Sequence, residues 1–123
     1  MVATTGNRYR PVGTDTMNSY KHIPLIQIDD LFSVIPYDCV PIAVDLIEGA
    51  IALPIYRHPE RALYIFGPED GTLGTKIVSR CRDAIQVPTR GCMNLAASIN
   101  VILYDRMMKR WPQRAEQDAP LSA

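Results

Sequence analysis

Two short segments carry the residue types that could do chemistry, FGPEDG at residues 66–71 and VPTRGCMN at residues 87–94. Gly67 and Gly71 allow the backbone to approach a ligand closely, and Pro68 stiffens the turn between them. Asn94 can cap a following helix, whose free first-turn amides suit an anion. Taken singly, each segment is more typical of an ordinary turn, because Gly, Pro, Asp and Asn are common turn residues.

The metal-ligating and nucleophilic side chains are scattered along the chain. Cys39, Cys81 and Cys92 are an odd number of cysteines that lie far apart, and none forms a C-x-x-C pair. Only His22 and His58 accompany them, so the spacing suits no zinc site and we expect no metal. Reduced, buried or half-buried thiols of a cytoplasmic protein are the expectation.

Three further polar side chains each have two interpretations. His58 lies in YRHPER with Pro59 after it, and we predict a surface turn histidine rather than a general base, since no partner is identifiable. Asp45 and Glu48 follow an apolar run. They either reach a ligand pocket or serve as turn and cap residues.

The elements that must position these residues are strands alternating with helices. Apolar runs predict strands at residues 23–28, 40–46, 62–66 and 84–87. Helical patterns predict a short helix at 31–34, a helix or helical turn at 48–54, a two-turn helix at 74–82 and a long helix at 94–110. This order is typical of the α/β class with a mainly parallel sheet flanked by helices, where ligands bind beyond the carboxyl ends of the strands.

Composition fits one globular domain. The 123 residues are 47% apolar and 21% charged, which excludes wholesale disorder. Thirteen basic residues balance thirteen acidic ones, but residues 23–60 are acidic and their flanks basic, which permits an anionic partner. No apolar run approaches the ~18 residues of a membrane span. The N-terminal MVATTGNRYR lacks the apolar core of a secretory signal, so a cytoplasmic protein without membrane contact is expected.

Taken together, the two segments resemble motifs of the SPOUT superfamily of S-adenosylmethionine-dependent RNA methyltransferases, in its SpoU/TrmH branch. The similarity rests on ALYIFGPEDGTLG at residues 62–74 and VPTRGCMNLAASINVILYDR at residues 87–106. Their order and spacing match the second and third motifs of that family. The resemblance covers residues 23–110 and is strongest from Arg61 onward.

The resemblance implies an α/β domain at residues 23–111 whose C-terminal part is a trefoil knot, formed by the loops after the third and fourth strands. Residues 1–22 are expected to be an irregular segment and residues 112–123 a disordered tail, because Trp111 and Pro112 should end the long helix. The resemblance also implies a homodimer that packs through the C-terminal helix.

The activity implied by the resemblance is methyl transfer from S-adenosyl-L-methionine to a ribose 2′-hydroxyl of tRNA or rRNA. Glu69 and Asn94 match polar residues of the family's active site, and we expect them to be catalytic. The positions expected to bind the cofactor are Val44, Phe66, Gly67, Pro68, Gly71, Val87, Pro88, Cys92 and Met93. The arginines that either contact RNA phosphates or are plain surface charges are Arg57, Arg61, Arg80, Arg82 and Arg90.

Two departures from the family pattern leave alternatives open. Cys92 and Met93 stand where the family has Ser and Leu, and a thiol is the weaker hydrogen-bond partner. The family's first motif, whose Arg is assigned to activating the ribose hydroxyl, is not found before residue 23, although Arg8 and Arg10 lie there. An N-terminal βα unit is therefore expected to be missing. The alternatives are a knotted dimer that binds cofactor or RNA without methylating, or an incomplete fragment of the enzyme.

Overall fold

The computed structural model describes residues 2–5, 22–68, 71–91 and 93–118, in two units, Met1–Tyr37 and Asp38–Ala123. In the first unit, β1 (Val2–Thr5) pairs in parallel with β2 (Leu25–Ile28). The strand β2 confirms the prediction for residues 23–28. The strand β1 corrects the expectation of an irregular segment, because three of its four residues are β-branched and favour extended backbone.

A short 3-10 helix, Leu31–Val34, follows β2 in the first unit. The carboxylate of Asp30 caps it by accepting a hydrogen bond from the Phe32 amide at 3.0 Å. A polar side chain directly before an apolar turn is the usual signal for such a cap. This helix was predicted from the sequence with the same bounds.

The second unit is built on a parallel sheet of four strands in the order β4-β6-β3-β5. In this sheet Val44 pairs with Phe66 on one side and with Ile85 on the other, so three strands end at one edge. The bounds are β3 (Val40–Val44), β4 (Ile51–Ala52), β5 (Ala62–Phe66) and β6 (Asp83–Gln86). The predicted α/β class with a parallel sheet is confirmed.

The core of the second unit lies between the central strands and the C-terminal helix. Ile42 and Ile85 from the sheet and Ile102 from the helix are fully buried. Ile42, Ala43 and Val44 are buried in succession, as a strand covered on both faces requires. The near-continuous apolar run of β3 therefore reflects the central position of this strand in the sheet.

The helices of the second unit are a 3-10 helix at Leu53–Ile55, α1 (Thr75–Val78) and α2 (Leu95–Asp118). The stretch predicted as a helix or helical turn at 48–54 instead forms β4 before the 3-10 helix begins. The helix α1 has one turn instead of the predicted two, because after Val78 the chain continues in tighter i→i+3 turns, with Cys81 donating to the Val78 carbonyl at 3.1 Å.

The helix α2 does not end at Trp111 and Pro112 as predicted, but contains Pro112 and continues to Asp118. A proline removes one helical hydrogen bond, but the following QRAEQ consists of good helix formers that favour continuation. The tail expected to be disordered is thus helical at residues 112–118, and residues 119–123 lie outside the described residues. None of the helices in the described ranges is long and apolar enough to cross a membrane.

Candidate functional site

A cleft lies at the edge of the sheet where β3, β5 and β6 end. The loop of residues 67–74 leaves β5 there, and the loop of residues 87–94 leaves β6. Because the carboxyl ends of neighbouring parallel strands share one edge, the fold brings together the two segments that the sequence marked as chemically interesting. The cleft encloses about 130 Å³, close to the ~150 Å³ of a cavity that holds a benzene-sized ligand.

Seven of the residues predicted to bind a cofactor line this cleft, although they come from three separate parts of the chain. They are Val44, Phe66, Gly67, Pro68, Gly71, Val87 and Met93. The structure thus shows that these side chains and backbones surround one space. Their cofactor-binding role stays a prediction, and so does the trefoil knot.

The other four predicted site residues are not placed in the cleft. Pro88 is exposed and is not among its described lining residues. Asn94 caps α2, since its side-chain oxygen accepts a hydrogen bond from the Ala97 amide at 2.8 Å. Its predicted capping role is confirmed, whereas its catalytic role stays a prediction. Glu69 and Cys92 lie outside the described residues.

The loop of residues 67–74, which we call the first loop, is attached to the end of β3 by the carboxylate of Asp45. Its Oδ1 accepts a hydrogen bond from the Leu46 amide at 2.8 Å, and its Oδ2 accepts one from the Leu73 amide at 3.0 Å. Gly67 packs closely on the returning loop, because a Cβ atom there would lie 3.3 Å from the Leu73 nitrogen. A larger residue at Gly67 would therefore press on the same amide that Asp45 binds.

The loop of residues 87–94, which we call the second loop, is stabilised by hydrogen bonds of its own polar groups. The Thr89 hydroxyl donates a hydrogen bond to the Gly91 carbonyl, and the Asn94 backbone carbonyl accepts the Ser98 amide at 3.0 Å. Both contacts order the entry into α2 and present the first turn of that helix to the cleft.

Six cleft residues were not among the predicted cofactor-binding positions. They are Asp45, Leu46, Gln86, Thr89, Leu95 and Ser98. Asp45 was considered for the pocket on sequence grounds and does line it. Leu46 and Gln86 were detectable in principle from the convergence of strand ends, while Leu95 and Ser98 are three apart on one helix face. The lining is mostly apolar with a few polar groups, which suits a small organic ligand.

The side chain of His58 is buried, which corrects the prediction of a surface turn histidine. Its side chain is 2% exposed, its Nδ1 lies 2.6 Å from the Tyr64 hydroxyl and its Nε2 lies 2.7 Å from Asp105 Oδ2. Asp105 is contributed by α2, which covers the turn before β5. A partner 47 residues away in the chain could not be identified from the local sequence.

Two cations of α2 complete what we call the His58 cluster, defined as His58, Tyr64, Asp105, Arg106 and Lys109. Lys109 Nζ lies 2.8 Å from the Asp105 carboxylate, and Arg106 donates to the Tyr64 hydroxyl at 3.1 Å. Burial, helped by the two cations and opposed by Asp105, lowers the pKa of His58. Burial also raises the pKa of Tyr64. A neutral imidazole that accepts from the Tyr64 hydroxyl and donates to Asp105 fits both shifts.

The same cations attach α2 to the chain before β5. Lys109 Nζ donates to the carbonyls of Leu53 at 2.7 Å and Tyr56 at 2.8 Å. Arg106 donates to the carbonyls of Pro59 at 2.7 Å and Glu60 at 2.5 Å. The cluster therefore works as an attachment of α2, on residues separate from those that line the cleft.

The opposite side of α2 carries exposed apolar side chains, which we call the α2 stripe. They follow a spacing of three and four residues and so share one helix face. The members are Leu103, Tyr104, Met107, Met108 and Trp111, each 40–64% exposed. Such a continuous apolar face is typical of a surface that another protein surface covers.

Two of the three cysteines are half-buried free thiols, as predicted. Cys81 donates a hydrogen bond to the Ile77 carbonyl at 3.3 Å, and burial raises its pKa. A raised pKa reduces the thiolate fraction, so Cys81 is a poor nucleophile. In the described ranges, no three His, Cys, Asp or Glu side chains come together in a way that would hold a metal ion.

No family model matches the sequence, and no curated protein matches it significantly. The fold, however, is shared with solved SpoU enzymes. The chain is similar to the TrmH/SpoU tRNA modifying enzyme of A. aeolicus, with a TM-score of 0.74 and 16% identity over 98% of this chain and 68% of that chain. It is also similar to the SpoU methyltransferase AviRb from Streptomyces viridochromogenes, with a TM-score of 0.67 and 17% identity over 81% of this chain and 43% of that chain.

These similarities confirm the α/β fold class that the sequence resemblance implied. The chain shares its α/β fold with both of these solved SpoU structures. It spans less than half the length of AviRb.

Proposed function

We propose that the protein is a cytoplasmic, S-adenosylmethionine-dependent RNA methyltransferase that acts on a ribose 2′-hydroxyl of tRNA or rRNA. The observation that carries this proposal is the cleft at the carboxyl edge of β3, β5 and β6, where both motif-bearing loops meet. The similar fold of an enzyme described as tRNA modifying and of a SpoU methyltransferase supports it.

The residues around the cleft fit the proposed cofactor. Phe66, Val87 and Met93 offer apolar contacts for a ring, while the side-chain oxygens of Gln86 and Thr89 can accept hydrogen bonds. S-adenosylmethionine, when bound, supplies a methyl group on a sulfonium. The chain's own residues would bind and orient that molecule and keep water away from one side of it.

Arg90 is the best-placed of the five arginines predicted to contact RNA phosphates. It is exposed and adjoins Thr89 of the cleft, so a nucleic acid strand that enters the cleft passes beside it. Arg82, in contrast, already donates to the carboxylate of Asp83 at 3.2 Å. A phosphate contact at Arg90 would strengthen RNA binding without reading the base sequence.

The α2 stripe supports a homodimer through the C-terminal helix. Its five exposed apolar side chains lie opposite the face that packs on the sheet through Ile102 and the His58 cluster. A second copy of this chain presents the same apolar face, so the two stripes can cover each other around a two-fold axis.

Cofactor or RNA binding without methylation is a second candidate function, and one observation favours it. Asp45 is the only ionisable side chain among the described residues that line the cleft. Both of its oxygens already accept backbone amides. No general base for the ribose hydroxyl is therefore evident among the described residues that line the cleft.

Calorimetric titration of the chain with S-adenosylmethionine, followed by incubation with radiolabelled cofactor and bulk tRNA or rRNA, tests both candidates. Saturable binding with label in alkali-resistant dinucleotides supports 2′-O-methylation, since a methylated 2′-oxygen blocks alkaline cleavage of the chain. Binding without label supports the second candidate. A folded chain that does not bind the cofactor contradicts both forms of cofactor-dependent function.

A further inference from the structure

We propose that Asp45 is a positioning residue for ligand binding in the cleft, because its carboxylate holds the loop of residues 67–74 against the end of β3. The inference deepens the proposed function and rests on it for the identity of the ligand. It assigns to Asp45 a task that is mechanical rather than catalytic.

The backbone of Asp45 is itself well fixed. Its amide donates a hydrogen bond to the Ile85 carbonyl of the neighbouring strand β6 at 3.1 Å. From this position the carboxylate accepts the Leu46 amide at 2.8 Å and, 28 residues further along the chain, the Leu73 amide at 3.0 Å. One carboxylate thus joins the loop after β3 to the loop after β5 through two hydrogen bonds.

Leu73 is the point at which the first loop is anchored. It is buried, whereas Thr72 and Gly74 on either side of it are exposed. The loop returns here to its own beginning, since a Cβ on Gly67 would lie 3.3 Å from the Leu73 nitrogen. The position of Gly67 in the cleft wall is therefore set by Leu73, and the position of Leu73 is set in part by Asp45.

The chemistry requires a carboxylate rather than any polar group. Both partners are N–H donors, so the side chain must accept twice from two different directions. An asparagine has the same shape but offers one oxygen, and its amino group would face one of the two amides donor to donor. Asp45→Asn therefore breaks one of the two contacts with almost no change in volume.

The test compares Asp45→Asn with Glu48→Gln, which removes the same charge at an exposed position outside the described cleft lining. Hydrogen exchange at the Leu73 amide reports its hydrogen bond to Asp45 directly, and exchange at the buried Ile42 amide reports the integrity of the fold. Titration with S-adenosylmethionine reports the consequence for the ligand. In a methylation assay, the KM for the cofactor separates a positioning role from a general loss of activity.

We expect Asp45→Asn to accelerate exchange at the Leu73 amide about tenfold and to weaken S-adenosylmethionine binding about tenfold. Exchange at the Ile42 amide should be unchanged, and Glu48→Gln should behave like the unaltered chain. KM should rise at nearly constant kcat. Asp45→Ala removes both acceptors, so it should accelerate Leu73 exchange even if the oxygen kept by Asp45→Asn stays on Leu73. Unchanged Leu73 exchange in both variants, or faster exchange at unchanged affinity, overturns the proposal. If the unaltered chain does not bind the cofactor, the proposed function fails, and the Leu73 exchange rate alone then decides whether Asp45 holds the loop.

Discussion

The imidazole of His58 lies 2.7 Å from the carboxylate of Asp105 and joins the turn before β5 to the middle of α2. This contact, with Tyr64 on the other ring nitrogen, fixes the helix that also provides one wall of the cleft. The attachment and the candidate site are thus on the same helix but use different faces and turns of it.

Acid should destabilise the protein through His58. The pKa of His58 is lowered in the folded chain, so between that value and the ordinary value of about 6.5 the unfolded chain binds more protons. The free energy of unfolding should therefore be highest above about pH 6.5 and fall as the pH drops below it. Urea unfolding between pH 5 and 8 measures this dependence.

The matched variants for that experiment are His58→Gln and His22→Gln. His22 is exposed, so its replacement should leave the pH dependence intact, whereas His58→Gln should flatten it. An equal slope in the unaltered chain and in His58→Gln would contradict the assignment of the acid sensitivity to this imidazole.

Removing the carboxylate of the His58 cluster should cost stability. Asp105→Ala leaves Lys109 and His58 without their shared acceptor, and an unsatisfied, largely buried polar group costs about 2 kcal/mol. Asp105→Asn, which keeps one oxygen, should lose less. Glu60→Gln is the control, because the Glu60 side chain is exposed and only its carbonyl contacts α2. Chemical denaturation gives the three values, and an Asp105→Ala variant as stable as the control would contradict the role of the cluster.

The α2 stripe should hold two copies of the chain together. Tyr104 and Met108 are 64% and 52% exposed, so the double variant Tyr104→Glu, Met108→Glu should fold normally and convert a dimer to a monomer. The control Ile55→Glu introduces one such charge at a residue that is 80% exposed and outside the α2 stripe, and it should not change the molar mass. Light scattering measures both, and a monomeric unaltered chain would refute the dimer.

Adding a single methyl group at Gly67 should weaken cofactor binding. In Gly67→Ala the added Cβ would meet the Leu73 nitrogen at 3.3 Å, so the loop must shift, and S-adenosylmethionine affinity should fall by about tenfold. Gly91→Ala makes the same change in the second loop, where a Cβ meets nothing within 4 Å. Calorimetric titration compares the affinities of the two variants, and equal affinities would show that the close packing of Gly67 on Leu73 does not matter for binding.

Strand positions were the most predictable part of the fold, and the reason is burial. The bounds of β5, Ala62–Phe66, were predicted without error, and β6 was shifted by one residue. Both are short apolar runs bounded by charged or turn residues. The strand β1 was missed, because Val2–Thr5 has no apolar run and is recognisable only through its pairing with β2.

The cleft residues that could be predicted are those that the local sequence marks as loop or strand-end residues. Gly67, Pro68 and Val87 belong to loops whose glycine, proline and strand-end positions are visible in the sequence. Leu95 and Ser98 were missed, because their place in the cleft depends on how α2 leaves the second loop. The burial of His58 was missed for the same reason, since its partner Asp105 reaches it only after α2 has packed.

An amide NMR titration of the chain with S-adenosylmethionine tests most directly whether the cleft is the cofactor site. We predict saturating shifts at Gly67, Gly71, Val87 and Met93, which line the cleft, and none at Arg57, which is exposed and is not among the described lining residues. Shifts confined to other parts of a folded chain, or no shifts at all, would contradict the claim that this cleft is the cofactor site.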